Sequence, residues 1–554
     1  MKKWWKEVTA YQVYLKSFMD SNGDGIGDVQ GLISKLDYLK DLGIGLIWLS
    51  PMYKSPNDDN GYDISDYHGI AQEYGTMEDF DQLLVECHKR NIKLIIDLVI
   101  NHTSDEHPWF IESKSSKDNP KRDYYIWREG KNGQEPNNWE SIFKGSAWDK
   151  TEESDEYYMH LFSKKQPDLN WENPKVRQEL YNMVNWWLDK GVDGFRVDAI
   201  SHIKKEDKFP NMPNPKNLKY VPSFEKHMNV EGIHTYLEEL KKETFDKYDI
   251  VTVGEANGVS TENISDLRKW ISYKEGKFNM IFQFDHLKLW DRGDKDAFDL
   301  IKFKRALSDW QEKLEGLGWN ALYIENHDLP RVVSIWGNEK LRLESAKAFA
   351  MVYFMQKGTP FIYQGQEIAM TNPAYGHIDD YDDCGTRNEY YEGIKNGISP
   401  EAMLERIKLT SRVNSRSPMQ WNSNKNAGFT KGNPWAKLNT NYEEINVEHE
   451  LLNSDSVLNF YKKLIKIRNN SETLIYGKYE LLLENHKEIY AYTRTYKNEK
   501  YLIIVNLSMK TVEFESEYTL KSRNLLLHNY KEVEEAVKKF NMKAYECRLY
   551  KVGE

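Results

Sequence analysis

Three carboxylates, Asp198, Glu255 and Asp328, each stand at or beside the end of a short apolar run, and Arg196, His102 and His327 occupy comparable places on such runs. The runs read GLIWLSP (45–51), IKLIIDLVINH (92–102), GVDGFRVDAI (191–200), IVTVGEA (250–256) and NALYIENHD (320–328). Cleaving a glycosidic bond needs one carboxyl group to protonate the leaving oxygen and a second to attack the anomeric carbon or to activate water. Arg196 lies two residues before Asp198, on the same face of its strand, where it can hold a nucleophile ionised and oriented. A single Asp at a strand end is more often a cap, and a lone buried His is usually a satisfied core group. The joint pattern carries the weight.

A run that is apolar throughout is buried on both faces, as in a parallel sheet, so its C-terminal end is where the sheet meets solvent. Eight candidate strands follow in order, at 8–15, 45–50, 93–99, 192–198, 250–254, 279–284, 320–324 and 359–363, with helical patterns such as MEDFDQLLVECHKRN and VRQELYNMVNWWLDKG between most of them. Strands alternating with helices predict right-handed βαβ units, and eight of them predict an α/β fold closed as a (β/α)8 TIM barrel with its site on the loops after the strands. About seventy residues (103–170) intervene after the third strand, far more than the ~2 to 6 of an ordinary βα loop. The expected division is a barrel of residues 1–103 and 171–477, an inserted subdomain of 104–170 overhanging its mouth, and a C-terminal antiparallel β-sandwich of 478–554, where short alternating runs such as EIYAYTRTY begin.

Composition narrows the partners. A formal charge of −11 argues against a nucleic-acid surface, and a neutral sugar is easily accommodated. The 17 Trp and 35 Tyr serve mostly as core, although sugar sites also use flat aromatic faces. No run approaches the ~18 uncharged apolar residues of a membrane span, and the first residues, MKKWWKEVTAYQ, lack the apolar stretch of a signal peptide. Cys87, Cys384 and Cys547 form neither a metal motif nor an even-numbered disulfide set, which suits a reducing cytoplasm. The expected partner is a small oligosaccharide, without nucleic acid or membrane, and the oligomeric state is left open with a monomer compatible.

DLVINH (97–102), GFRVDAI (194–200), GEA (254–256) and ENHD (325–328) resemble, in this order, the four signature regions of the α-amylase family of glycoside hydrolases, and QPDLN (166–170) is similar to its fifth region in oligo-1,6-glucosidases. The resemblance implies Asp198 as nucleophile forming a covalent glucosyl-enzyme, Glu255 as general acid and then base, and Asp328 as the third carboxylate, with His102 and His327 on the same sugar. DNGYD (59–63) resembles the segment supplying an Asp to the terminal sugar's hydroxyls and a Tyr beneath its ring, here Asp59 and Tyr62. NSRSPMQW (414–421) resembles the segment whose Arg pairs with that Asp; Arg416 is the choice, with Arg412 as the alternative. Such a pair would close the pocket floor and imply exo-action. Phe162 and Gln166 are expected to line the pocket from the insertion.

DSNGDGIGD (20–28) offers oxygen ligands at alternate positions, Asp20, Asn22, Asp24, the Ile26 carbonyl and Asp28, and related glucosidases carry a structural calcium ion in this loop; no organic cofactor is implied. For linkage, this chain has Asp198-Ala199 where similar α-1,6 enzymes show Asp-Val, and Ala256-Asn257 where they commonly show Met-Pro. Both departures favour α-1,4 bonds, so the expectation is a retaining exo-α-glucosidase on maltose and short malto-oligosaccharides. The alternatives are an oligo-1,6-glucosidase, then a trehalose-6-phosphate hydrolase or a sucrose isomerase; the isomerase's Arg-rich segment after the sixth strand is replaced by HLKLWDRGD (286–294). A non-catalytic sugar-binding or transporter-associated relative would need none of the carboxylates and, for a transporter, an anchor.

Overall fold

The computed structural model describes residues 2–289, 298–533 and 538–552, so residues 290–294 of the segment after the sixth strand lie outside the described residues. Eight parallel strands form one nearly closed barrel: β1 (Ala10–Val13), β2 (Leu46–Leu49), β3 (Lys93–Val99), β4 (Gly194–Asp198), β5 (Val251–Glu255), β6 (Met280–Phe282), β7 (Ala321–Leu322) and β8 (Thr359–Tyr363). Their order around the sheet is β6-β5-β4-β3-β2-β1-β8-β7. Every predicted strand is present: β3 and β8 keep their predicted bounds, β5 is shifted by one residue, and the others are trimmed at their ends. β7 keeps only two residues, because the chain then turns so that Glu325 can accept Val332 N at 2.7 Å and meet Arg331 at 3.2 Å.

The register aligns the strand ends that matter. Asp198 pairs with Val99, and Val197 with Gly254, so the β3, β4 and β5 ends lie side by side. Gly194 starts β4 at φ +137, where an added Cβ would sit 1.8 Å from the Val251 carbonyl oxygen; no other residue type allows this close approach. The covering helices follow from sequence. In Met77–Lys89, Phe80, Leu83, Leu84 and Cys87 fall on one buried face, and Thr76 with Asp79 closes a capping box. Pro174–Lys190 begins with an Asn173 cap and Pro at its first position, and Gly191 ends it in the left-handed region at φ +105.

The insertion after β3 holds the helix Pro108–Ser115 and a three-stranded antiparallel sheet of Trp127–Arg128, Tyr157–Met159 and Trp148–Lys150. Trp139–Glu140 pairs with Val221–Pro222 of the loop after β4, which binds the insertion to the barrel rim. Its exit returns beside its entry: Leu169 N donates to Asn101 O at 2.9 Å, and Thr103 N to Pro167 O at 3.2 Å. The C-terminal part is a five-stranded antiparallel sheet of Lys478–Leu482, Ile489–Tyr496, Glu499–Asn506, Cys547–Lys551 and Leu525–His528, with a second pair, Val512–Glu515 and Lys539–Met542. Strand alternation sends Tyr490, Tyr492, Ile503, Val505 and Leu549 to the barrel side, and Ile489, Ala491, Leu502 and Ile504 against Phe514, Phe540 and Met542. No helix among the described residues is long and apolar enough to cross a membrane.

Candidate active site

The ends of β3, β4 and β5 converge on one guanidinium. Arg196 Nη1 donates to Asp97 Oδ1 at 2.5 Å and to Asp198 Oδ1 at 2.7 Å, while Nη2 meets Glu255 Oε2 at 3.0 Å. Glu255 Oε2 also accepts the Ala199 amide at 2.9 Å, so the two carboxylates are clamped by one cation and one backbone donor. Burial pushes the Asp198 carboxyl up; Arg196 opposes this, while the charges of Glu255, Asp97 and Asp328 add to it. Asp198 and Glu255 thus share one guanidinium at neighbouring strand ends, the pairing of carboxyls that glycosidic cleavage uses.

Asp328 sits in the opposite electrostatic setting. Its burial would raise it, yet His327, Arg416 and Arg412 hold its carboxyl well below the usual carboxylate range. Arg416 Nη2 reaches Asp328 Oδ1 at 2.8 Å and Arg412 Nη1 reaches it at 3.3 Å. His327 is kept neutral, lowered to about 3 chiefly by burial. Gln12 Nε2 donates to His327 Nδ1 at 2.8 Å, which places the ring proton on Nε2, facing Tyr62 Oη at 2.7 Å. The Tyr62 and His327 rings stack at 5.4 Å, and Tyr62 is 5 % exposed, forming a flat apolar floor.

His102 is fixed in the same manner. Asn101 Nδ2 donates to its Nδ1 at 3.0 Å, so Nε2 carries the proton, and burial lowers the ring to about 4. Phe162 lies against His102 with centroids 5.1 Å apart, and Gln166 Nε2 donates to Asp59 Oδ2 at 3.0 Å, so both insertion residues reach the pocket. One expectation needs correction. Asp59 pairs with Arg412, Nη2 to Oδ1 at 2.8 Å, and not with Arg416. Arg416 closes the short 3-10 turn that Arg412 begins, and its guanidinium is spent on the His327 carbonyl, 2.9 Å from Nε, and on Asp328.

Sequence reasoning also missed several partners. Asp97, fully buried in β3, takes Arg196, Trp48 Nε1 at 2.9 Å and Tyr62 Oη at 3.3 Å, and burial pushes it up to about 6 against the pull of Arg196. The signal was there: an acid in the middle of an apolar strand. Asp383 grips Arg412 at 2.6 Å, and it is lowered to about 2, Arg412 and Arg416 outweighing its burial. Phe143 packs edge-on to Phe162 at 5.5 Å and lies 5.1 Å from the Arg412 guanidinium. Lys205 spans Asp168 Oδ2 at 2.7 Å and Asn101 Oδ1 at 2.9 Å, directly behind His102.

Residues 12–477 match the family model described as alpha amylase, catalytic domain, and residues 489–548 match the alpha-amylase SusG C-terminal domain. The chain belongs to the α-amylase family. Among α-amylase-family relatives, it is 54 % identical over 99 % of both chains to a probable oligo-1,6-glucosidase 3 of Bacillus subtilis, and 52 % identical over 99 % of both to an oligo-1,6-glucosidase of Parageobacillus thermoglucosidasius. Among solved structures it superposes on Bacillus licheniformis trehalose-6-phosphate hydrolase with TM-score 0.93 at 43 % identity, and on the isomaltulose synthase of Protaminobacter rubrum with TM-score 0.94 at 44 %, each over the full length of both chains. The protein is thus a glycoside hydrolase of the α-amylase family. The maltose preference expected from Ala199 and Ala256 finds no support in these names.

The acidic loop of this family member keeps its five oxygen donors on a tight turn. Asp20 Oδ1 accepts Asn22 N and Gly23 N at 2.9 and 2.7 Å, Asn22 Oδ1 accepts Asp24 N at 2.8 Å, and Asp24 Oδ1 accepts Ile26 N at 2.8 Å. Asp28 caps the next helix through Gly31 N at 2.6 Å. All-oxygen donors at alternate positions fit a hard cation such as calcium, although both Asp20 oxygens already accept two hydrogen bonds each, from Asn22 N and Gly23 N and from Gly25 N and the Thr430 hydroxyl, so a bound cation would displace donors there. Among the described residues, the one group of acidic, His or Cys side chains whose ligand atoms fall within 4.8 Å of one another is instead Asp59, Asp383 and Cys384, and Arg412 already supplies its positive charge.

Proposed function

We propose that this protein is a retaining, exo-acting glucosidase that removes α-glucose from the non-reducing end of short α-1,6-linked oligosaccharides. The observation that carries the chemistry is the Arg196 clamp on Asp198 and Glu255. Asp198 attacks the anomeric carbon as Glu255 gives its proton to the leaving oxygen, so the C–O bond breaks and a glucosyl ester forms. Glu255, now a carboxylate, takes a proton from water, whose oxygen displaces Asp198 and releases glucose with its α configuration retained. Asp328, ionised beside two guanidinium groups, binds ring hydroxyls most strongly as positive charge develops on the sugar. The Asp59–Arg412 pair, held by Gln166 and Asp383, closes the floor beyond one glucose, which supports exo-action.

The α-1,6 choice is supported by relatives of 54, 52 and 51 % identity, all named as oligo-1,6-glucosidases and covering at least 99 % of each chain. One observation favours a second reading, α-1,4. Ala199 occupies the left-handed region at φ +44 with its amide on Glu255, and only a methyl group projects there. Glucose release from isomaltose, maltose, sucrose and trehalose 6-phosphate, in wild type and Asp198→Ala, decides between them. Isomaltose fastest by tenfold or more, with an inactive variant, is the expected result; maltose fastest transfers the assignment to the second reading, and an active Asp198→Ala overturns the mechanism.

Calcium in the 20–28 loop belongs to the same proposal, with Asp20, Asn22, Asp24, the Ile26 carbonyl and Asp28 as its ligands. The loop packs on segment 429–435, Asp20 N donating to Phe429 O at 3.1 Å and Trp435 N to Gly25 O at 2.9 Å, so the ion would tie the two together. Chelation should lower Tm and calcium should restore it. An unchanged Tm in excess chelator would remove calcium from the account.

A further inference from the structure

A cavity of about 470 Å³ lies at the seam between the barrel and the C-terminal sheet, apart from the site described above. Among the described residues, Lys347, Lys463, Lys531, Ser456 and His528 line it, with Asp455 as the only carboxylate. Three lysines against one aspartate leave two net positive charges among these lining groups, in a chain whose formal charge is −11. A positive hollow on an acidic protein has to be explained by what it holds.

Lys347 is the decisive residue. It sits on the helix Arg342–Phe354, whose buried residues run from Ser345 to Phe354, and is itself only 5 % exposed. Lysines are almost never this buried unless paired with an acid. Its ammonium donates to the main-chain oxygen of Asp455, and no carboxylate of the described residues lies within ion-pair distance of it. Asp455 turns its side chain outward to Lys531 at 3.4 Å. Glu450, the nearby acid, is occupied by Arg342 at 3.3 Å and by the first amides of the helix Val457–Asn469 at 2.7 and 3.2 Å. The cavity's charge is therefore carried by side chains and is not cancelled by that helix.

Of the neutral groups around it, Ser456 adds a donor and His528 an acceptor. Ser456, 1 % exposed, accepts the Asn459 amide at 3.1 Å and keeps its hydroxyl hydrogen to give. His528 spends Nδ1–H on the Tyr530 carbonyl at 2.6 Å, so Nε2 is its remaining polar atom. Two or three ammonium groups and a hydroxyl around a space larger than one anion match a tetrahedral phosphate carrying an organic group, whose P–OH the acceptor Nε2 of His528 can take. We propose that this cavity binds a phosphate monoester or inorganic phosphate and so links the C-terminal sheet to the barrel.

The test uses the full-length protein and two probes, inorganic phosphate and glucose 6-phosphate, against chloride at equal ionic strength. Binding to the folded state should raise Tm by about 2 °C at a hundredfold excess over Kd, and calorimetry should show one site per chain. Lys347→Met should abolish the shift. Because that variant removes a buried group, Lys463→Glu/Lys531→Glu, which alters only the cavity's outer lysines, is the second arm and should weaken binding at least tenfold. Glucose 6-phosphate bound more tightly than phosphate, with the difference lost in the double variant, identifies a monoester site; equal affinities identify a phosphate site. A wild type that responds to phosphate no more than to chloride, or a double variant with wild-type affinity, overturns the proposal.

Discussion

Lys205→Met separates positioning from simple stability. Lys205 holds Asp168, which is fully buried, at 2.7 Å and Asn101 at 2.9 Å, and Asn101 in turn sets the His102 tautomer at 3.0 Å. Removing the cation leaves Asp168 without its ion partner, and breaking a buried pair costs ~3 to 5 kcal/mol. For 554 residues, an unfolding entropy of about 2.1 cal/mol/K per residue converts ~4 kcal/mol into a Tm loss of about 3 to 4 °C. Asn101 then lacks its anchor, and His102 loses the fixed tautomer whose Nε2–H rests on the Tyr62 carbonyl at 3.2 Å in the pocket; loss of one positioned hydrogen bond of about 1 to 1.5 kcal/mol corresponds to 5- to 13-fold in kcat/KM. Lys205→Met/Asp168→Leu removes both charges, so most of the Tm should return while kcat/KM stays low. A single variant within 1 °C and twofold of wild type would refute the clamp, and a double variant that recovers activity as well as Tm would reduce Lys205 to a structural role.

Arg412→Ala and Arg416→Ala should differ: the first unseats Asp59 beneath the terminal sugar and should raise KM for disaccharides by about 10- to 100-fold, since a hydrogen bond to a charged group is worth ~1.5 to 3 kcal/mol, while the second unseats Asp328 and should fall mainly on kcat. Steady-state kinetics on both variants checks this. Ala199→Val places a β-branched residue at φ +44, so it should lower stability by about 1 to 3 kcal/mol and raise the isomaltose-to-maltose ratio; thermal melts and the two-substrate assay read both. Acid should unfold the protein early. His102, His202 and His286 are lowered to about 4 and His107 and His327 to about 3, all chiefly by burial, so between pH 6.5 and 4 the unfolded chain binds protons that the folded chain refuses. Stability then falls with falling pH by up to about 1.4 kcal/mol per pH unit for each histidine. Asp63 and Asp97, raised to about 6 mainly by burial, take up protons in the folded state and offset part of this loss. A flat urea midpoint from pH 6.5 to 4.5 would contradict it.

What the sequence shows and hides follows from how each residue is held. The barrel strands were legible because β2 to β5 are buried on both faces and therefore read as unbroken apolar runs. Asp198 and Glu255 were legible because a strand end fixes where a side chain points. Lys205 was not, since KKED (204–207) reads as a solvated charge run. In the structure Lys204 does turn outward to Glu172 and Asp207, at 2.6 and 2.9 Å, while its neighbour turns inward to Asp168. Only the irregular backbone after β4 decides which lysine goes where. The choice between Arg412 and Arg416 has the same origin, because a short 3-10 turn fixes their directions and no hydrophobic period marks it. Linkage preference is one step further removed. Ala199 and Ala256 border Glu255, but the pocket is also walled by side chains from other loops, Phe143 and Phe162 among them, which share no periodicity with the strand that bears the nucleophile. Two small residues beside the acid can enlarge that space, yet they do not determine which linkage fills it.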